Sequence, residues 1–332
     1  MKNKKHNLPD LIKSFFCEYL PSLRGGSPNT VSSYAEAVSL FLKHLQRHKK
    51  IVPSKITIDD FSVQNIIDFL SFLEKERGNG ISTRNARLAA IRSLAKYLLL
   101  EKPEWTGHLH RIMAIPTKKK PTLILDYLSQ KEIDVILETP DNSWLGRRDR
   151  TMFTLMYNTG IRVSEIIDMK VEDTCLERNK SIRVCGKGRK SRSLPIWKST
   201  VLLLRQWIKL NRLRSDSFLF PNNRGTKMTR SALAKRLTKT VETAKIKCKE
   251  LRTRKVSPHT IRHTMAMHFL QAGVDITVIA MWLGHESIET THIYIDTDME
   301  MKTKALQSLK DPHTKNFRYK PDDVLLALLE DI

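Results

Sequence analysis

Along the first hundred residues the apolar positions recur at steps of three and four, with polar and charged residues between them, which is the period of amphipathic helices. Ser27-Pro28 supplies an N-cap and a proline for the first helical position, and Val31, Tyr34, Val38, Phe41 and Leu45 then follow along one face. A second helix is predicted to open at Ser82. Leu88, Ile91, Leu94 and Leu98 form its apolar stripe, which leaves Arg84, Arg87 and Arg92 to decorate the remaining surface. Segments 8–20 and 57–77 carry similar patterns, so about four helices precede residue 100 and residues 1–114 are expected to form a small helical domain.

The period breaks at 115–122, where Pro116-Thr117-Lys118-Lys119-Lys120-Pro121 reads as an extended basic linker. Such a run is either a solvated loop or a tether lying over phosphates, and its composition alone leaves both open. Helical patterns return at 129–138, 146–158 and 162–168. Ser181-Ile182-Arg183-Val184-Cys185 and Ser191-Arg192-Ser193-Leu194-Pro195-Ile196 then alternate around a Gly-Lys-Gly turn, predicting a β-hairpin with Lys187 near its tip. Helices are expected again at 198–212 and 229–245, followed by a strongly basic loop containing Lys245, Lys247, Lys249, Arg252, Arg254 and Lys255. Ser257-Pro258 looks like another helix start and Gly284 like a helix C-cap. At the end of the chain Pro321-Asp322-Asp323 begins a short helix with Leu325, Leu328, Leu329 and Ile332 on one face. A helix so short is marginal alone, so it is expected to dock on its own domain or on a neighbouring protomer. The chain therefore reads as mainly α with a small β-hairpin or sheet: a helical domain over 1–114, the linker, an α+β domain over 123–312 and a tail helix within 313–332.

Composition adds a partner class. The 332 residues carry 58 Lys+Arg against 35 Asp+Glu, a formal charge of +23, which favours a polyanion. Ribosome-associated and membrane-surface proteins share that trait. Cys17, Cys175, Cys185 and Cys248 are scattered with no CxxC pairing, so neither a zinc site nor a disulfide framework is indicated and a reducing compartment fits. The N-terminus lacks the apolar core of a signal peptide, and no apolar run approaches the roughly 18 residues of a membrane span. A soluble cytoplasmic protein without a membrane partner is expected.

The chemistry is carried by six residues of the second half: Arg162 in Thr159-Gly160-Ile161-Arg162-Val163-Ser164-Glu165, Lys187 in Gly186-Lys187-Gly188-Arg189-Lys190, His259 and Arg262 in His259-Thr260-Ile261-Arg262-His263, His285 after Leu283-Gly284, and Tyr294. Two arginines, a lysine, two histidines and a tyrosine make a cationic cage with one nucleophile and no carboxylate, suited to an anionic phosphate attacked without metal. Phosphodiester cleavage needs an in-line nucleophile, charge neutralisation on the non-bridging oxygens and a proton for the departing alkoxide. Arg162 and Arg262 would clamp the oxygens through their planar forks. His259 and Arg262, at i and i+3 in the first turn of a helix, point to one side. His259 would accept or relay the tyrosine proton, His285 would donate to the phosphate, and Lys187 would protonate the leaving oxygen. Tyr294 needs these cations to favour its phenolate. His263, one position past the Arg262 face, is expected to support packing. His259 and His263 are also spaced like a metal pair, but no third ligand or HExxH pattern accompanies them, and no metal or other cofactor is expected.

The complete set resembles the active site of the tyrosine recombinase and phage integrase family over nearly the whole chain. Residues 159–165 resemble its first arginine box, 186–192 its lysine hairpin, 259–263 its His-x-x-Arg-His box and 283–294 its Leu-Gly-His box with the nucleophile. Residues 27–100 resemble its helical, SAM-like core-binding domain. The resemblance implies a site-specific recombinase or integrase, of the kind carried by bacterial mobile elements. Tyr294 would attack the scissile phosphate of double-stranded DNA, forming a 3′-phosphotyrosyl bond and releasing a 5′-hydroxyl that later attacks a partner strand. Glu165 would orient its neighbours. It further implies a monomer in solution, a homo-tetramer on DNA at synapsis, and an accessory recombinase or DNA-bending protein as a further partner. Arg84, Arg87, Lys118, Lys119, Lys120, Arg189, Lys190, Arg254 and Lys255 are the candidate DNA contacts. Two other readings stand beside it: a type IB topoisomerase-like activity that reseals the same strand, and a DNA-binding accessory factor with a relic site. A general RNA-binding protein lacks the aromatic stacking motifs expected for single strands.

Overall fold

The computed structural model describes residues 7–119, 126–186 and 191–284. The chain divides into two compact units, 1–122 and 123–332. The first is all helical. Helix α1 (Leu8–Ser14) runs into a π-helical segment, Phe15–Leu23, and is followed by α2 (Pro28–Lys49), α3 (Val63–Lys75), α4 (Ile81–Glu101) and α5 (Thr106–Met113). Helix α2 starts where its sequence signal lies, with the Ser27 side chain accepting from the Thr30 N–H and Pro28 in the first turn. Its stripe is buried: Phe41 meets Phe61 and Phe69 edge-on at centroid distances of 5.8 and 5.5 Å. Leu45, Ile66, Leu70, Leu88, Ile91, Leu98 and Ile112 complete that core.

Three expectations for this unit are corrected. The helix expected over 57–77 begins only at Val63, because Asp60 accepts 2.9 Å bonds from both the N–H and the hydroxyl of Thr57 and folds 57–60 into a turn, after which Ser62 caps Asn65. Helix α4 opens from Gly80 rather than Ser82. Its arginines do not decorate a free surface, since α2, α3 and α5 all pack on α4. Arg84 is buried beside Glu74 and donates to Asn85 at 3.0 Å, Arg87 is held by Glu36 at 2.6 Å and by the Ser33 carbonyl, and Arg92 donates to the Ile115 carbonyl.

The second unit comprises α6 (Gln130–Glu138), α7 (Trp144–Thr159), α8 (Val163–Asp168), strands β1 (Thr174–Cys175), β2 (Ser181–Cys185) and β3 (Ser191–Pro195), then α9 (Lys198–Leu210), α10 (Arg230–Lys247), α11 (Pro258–Gln271) and α12 (Ile276–Leu283). The strands form an antiparallel sheet in the order β1-β2-β3, pairing Ile182 with Leu194 and Val184 with Arg192. Helix α7 is its hub. Met152, Phe153, Leu155 and Met156 are all buried, and the helix packs on α9 and α11. The expected basic loop at 245–255 is largely ordered secondary structure: α10 continues to Lys247, and a short 3-10 turn, Lys249–Thr253, follows with Leu251 buried beneath it. Charge hid that apolar anchor. Glu250 pairs with Lys131 at 2.9 Å, and Arg254 bridges to Asp126 and Glu132. The tail helix predicted within 313–332 lies outside the described residues, and among those described no helix is long and apolar enough to cross a membrane.

Candidate active site

Two helix ends build the site. Helix α7 stops at Gly160, whose left-handed backbone (φ 59) lets its N–H return to the Met156 carbonyl at 2.8 Å. The chain then buries Ile161 and presents Arg162 in extended conformation as the residue capping α8. Glu165, one turn into α8, reaches back: its Oε2 accepts the Arg162 N–H at 2.9 Å and its Oε1 accepts from Arg162 Nη1 at 3.1 Å. The second helix end is that of α12, closed by Gly284 at φ 65. Arg162 Nη2 donates to the Gly284 carbonyl at 3.0 Å.

Arg262, on α11, is buried and uses the same two ends. Its Nη1 donates to the Gly160 carbonyl at 2.5 Å and its Nη2 to the Leu283 carbonyl at 2.8 Å. Helix α11 begins where Ser257-Pro258 predicted, with Ser257 accepting from the Thr260 N–H. His259 sits exposed in that first turn, its ring centroid 6.5 Å from that of His263. Burial, with His259 and Arg262 adding repulsion, brings the His263 imidazole down to about 4, so it stays neutral near pH 7.

Sequence reasoning passed over Arg192. From β3 it donates two parallel bonds to the carboxylate of Glu165, at 3.1 and 2.9 Å, and its Nε donates to the Trp282 carbonyl at 3.0 Å. Burial pushes the Glu165 carboxyl up, but the bonds from Arg192 and Arg162 and their charges outweigh it and leave the group below the usual range. A signal for Arg192 was available. It alternates with buried Leu194 on the inward face of β3, and an arginine on a buried strand face needs a carboxylate partner.

Arg162, Glu165 and Arg262 are thus brought together beside the consecutive carbonyls of 283 and 284, with His259 and His263 on α11, the helix that carries Arg262. Lys187, His285 and Tyr294 lie outside the described residues, as do Arg189, Lys190 and Lys120. Of the other candidate contacts, Arg84, Arg87 and Arg254 are engaged by protein partners. Lys118 is tied down too, its Nζ on Glu74 at 2.9 Å and its main chain on the Asn85 side chain, whereas Lys119 and Lys255 are exposed. Among the described residues no group of three or more His, Cys, Asp or Glu side chains is placed to hold a metal ion.

Residues 126–301 match the phage integrase family, and residues 13–102 match the N-terminal SAM-like domain of phage integrases. The Sinorhizobium fredii protein y4rC, which carries an integrase/recombinase name, is 38% identical over 330 residues, covering 99% of each chain. Tyrosine recombinase XerD of Oceanobacillus iheyensis is 33% identical over 290 residues, covering 85% of this chain and 92% of its own. Among solved structures, the XerH site-specific recombinase bound to its palindromic difH substrate overlays with a TM-score of 0.70 at 21% identity, over 89% of this chain and 84% of that one. The Tn1549 transposon integrase in complex with transposon right-end DNA gives 0.68 at 15% identity, over 91% and 99%. Such low identities speak for the fold, a helical SAM-like domain followed by a mainly helical catalytic domain with a small sheet. The family match over 126–301 and the relatives at 38% and 33% identity make this chain a member of the phage integrase family, the tyrosine recombinases.

Proposed function

We propose that this enzyme is a site-specific recombinase that cuts and rejoins duplex DNA through a phosphotyrosyl bond on Tyr294. The observation that carries the reading is the convergence of Arg162 and Arg262 on the carbonyls of Gly284 and Leu283, the two residues that precede His285 in the chain. Among the described residues Arg162 uses two guanidinium nitrogens on protein acceptors, and its side chain is 35% exposed, so it can still grip a phosphate oxygen. The Tyr294 oxygen attacks phosphorus and the bond to the 5′ oxygen breaks. Lys187 supplies the proton to that oxygen while His259 takes the one leaving the phenol. Arg162, Arg262 and His285 stabilise the charge that builds on the non-bridging oxygens. A 5′-hydroxyl then attacks the phosphotyrosine and releases Tyr294. One ester is exchanged for another at each step, so no nucleotide is consumed.

Duplex DNA as the partner is supported by the +23 charge and by the DNA-bound recombinases that share the fold. Work on DNA puts the enzyme in the cytoplasm, on the nucleoid. By the same reading four copies assemble at synapsis, with the 321–332 helix docking on the adjacent subunit. Removal of 321–332 is expected to spare binding to a single site and weaken assembly; unchanged assembly would count against that docking.

The test is covalent capture. The protein is incubated with the DNA flanking its own gene, denatured, and examined for a protein–DNA adduct. An adduct abolished by Tyr294→Phe, with DNA binding kept, is expected. Binding to a confirmed site without an adduct would favour the accessory-factor reading, and resealing without exchange between two duplexes would favour a topoisomerase.

A further inference from the structure

Glu165 stands between two arginines and serves them unequally. Arg162 donates one guanidinium bond to its carboxylate, whereas Arg192 donates a parallel pair. A parallel guanidinium–carboxylate pair is the stronger and more directional arrangement, so it is Arg192 that fixes the plane of the Glu165 carboxylate. Among the described residues three charges meet there, two positive and one negative. Without Arg192, Arg162 would be the remaining guanidinium beside the buried carboxylate among the described residues, and Oε2, which now accepts the Arg162 main-chain N–H and Arg192 Nη2, would be free to join Oε1 on the Arg162 guanidinium and cancel its charge. Arg162 would then be a poorer anchor for phosphate.

Arg192 also joins pieces of chain that the reaction needs together. Five positions after Lys187 in the sequence, it pairs with Val184 across the hairpin and reaches the Trp282 carbonyl at 3.0 Å. Its guanidinium lies against Gly284, where an added Cβ would come 3.0 Å from Nη1 and 3.2 Å from Cζ. The Gly284 carbonyl in turn holds Arg162. The turn end of the hairpin, the Arg162–Glu165 turn and the end of α12 are therefore locked through one side chain.

We infer that Arg192 is a positioning residue for strand cleavage, acting through Glu165 to keep Arg162 oriented and positively charged toward the scissile phosphate. This rests on the recombinase reading above. The test uses the full chain and its DNA site in two forms, one with the natural phosphodiester and one with a neutral methylphosphonate at the scissile position. Arg192→Gln is expected to bind DNA as the wild type does and to form adduct about 10–100-fold more slowly on the phosphodiester, the scale seen when a side chain that orients a metal ligand is lost. On the methylphosphonate that deficit should shrink, because the charge that Arg162 answers has been removed. Arg192→Lys keeps the charge without the fork, so it should recover part of the rate, and it serves for the same comparison if the Gln variant does not fold. Equal deficits on both substrates, or none on either, would overturn the inference and leave Arg192 a packing residue. A wild-type enzyme that forms no adduct on the phosphodiester would instead bring down the recombinase reading, and this inference with it.

Discussion

The carbonyl oxygen of Gly160 accepts a hydrogen bond from Nη1 of Arg262, so the residue that ends α7 also anchors a guanidinium from α11, 102 positions along the chain. Gly160 has little room for anything else. A Cβ there would fall 2.1 Å from Met265 Cε and 2.8 Å from Leu283 Cδ2, on a backbone with φ 59. Gly160→Ala is expected to cost about 1–3 kcal/mol of stability from crowding and left-handed strain. Thermal denaturation reads the loss, and adduct formation measured well below the melting temperature should also slow, because the carbonyl moves with the Cα.

Arg262→Lys tests the fork itself. A lysine carries the charge but cannot reach the Gly160 and Leu283 carbonyls with two fixed donors. Cleavage should fall by about 10²–10³, the scale of losing one pre-positioned donor to a developing oxyanion, while DNA affinity stays near wild type. A cleavage rate within a few-fold of wild type would remove Arg262 from the phosphate-binding set.

His263 sets an acid limit. Its folded value is about 4 against a reference of 6.5, so the unfolded chain takes up its proton first as the pH falls. The stabilisation is whole above about pH 6.5 and is lost progressively toward pH 4, amounting to about 3 kcal/mol at most. His44 and His268 are depressed in the same direction by burial, so the wild-type profile mixes all three. The difference between wild type and His263→Asn isolates the one: the two melting curves should converge as the pH drops from 6.5 to 4. Parallel curves would refute the assignment.

Salt and substitution together separate structural from DNA-facing cations. Affinity for DNA should drop steeply with salt, about 10³–10⁵-fold between 50 and 200 mM if 6–10 phosphates are neutralised. Arg87, 14% exposed and paired with Glu36, should behave as structure. Arg87→Gln is expected to lower stability by about 1 kcal/mol and leave the salt slope alone. Exposed Lys119 is the contrast, and Lys119→Gln should reduce that slope by about one. An unchanged slope would strike Lys119 from the candidate contacts.

What could be read in the chain was what is decided locally. Ser27-Pro28 and Ser257-Pro258 start helices, and Gly284 ends one, because a cap needs a few neighbouring residues. The arginines of α4 were misjudged for the opposite reason: whether Arg84 faces water depends on α3 bringing Glu74 beside it, which no window along α4 contains. The alternation of β3 marked Arg192 as inward-facing, but its partner was hidden in the same way, since Glu165 lies 27 residues earlier. The short helix α5 went unnoticed because it offers only a turn or two of periodicity, though Leu109 and Ile112 are fully buried. In the site, residue types and spacing were legible and the means of holding them was not, because main-chain carbonyls have no sequence signature.

Reliance on main-chain acceptors shapes how this enzyme can change. Arg162 and Arg262 lean on the carbonyls of Gly160, Leu283 and Gly284, and every amino acid offers a carbonyl. Side-chain replacements along the exposed face of α12 leave those acceptors where they are. Adding or deleting one residue within Ile276–Leu283 would swing the Leu283 and Gly284 carbonyls by about 100° around the helix axis and lengthen or shorten the helix by roughly 1.5 Å. Lineages of this protein should therefore drift freely on the exposed face of α12, keep Ile279, Ala280 and Leu283 apolar, and hardly vary in its length.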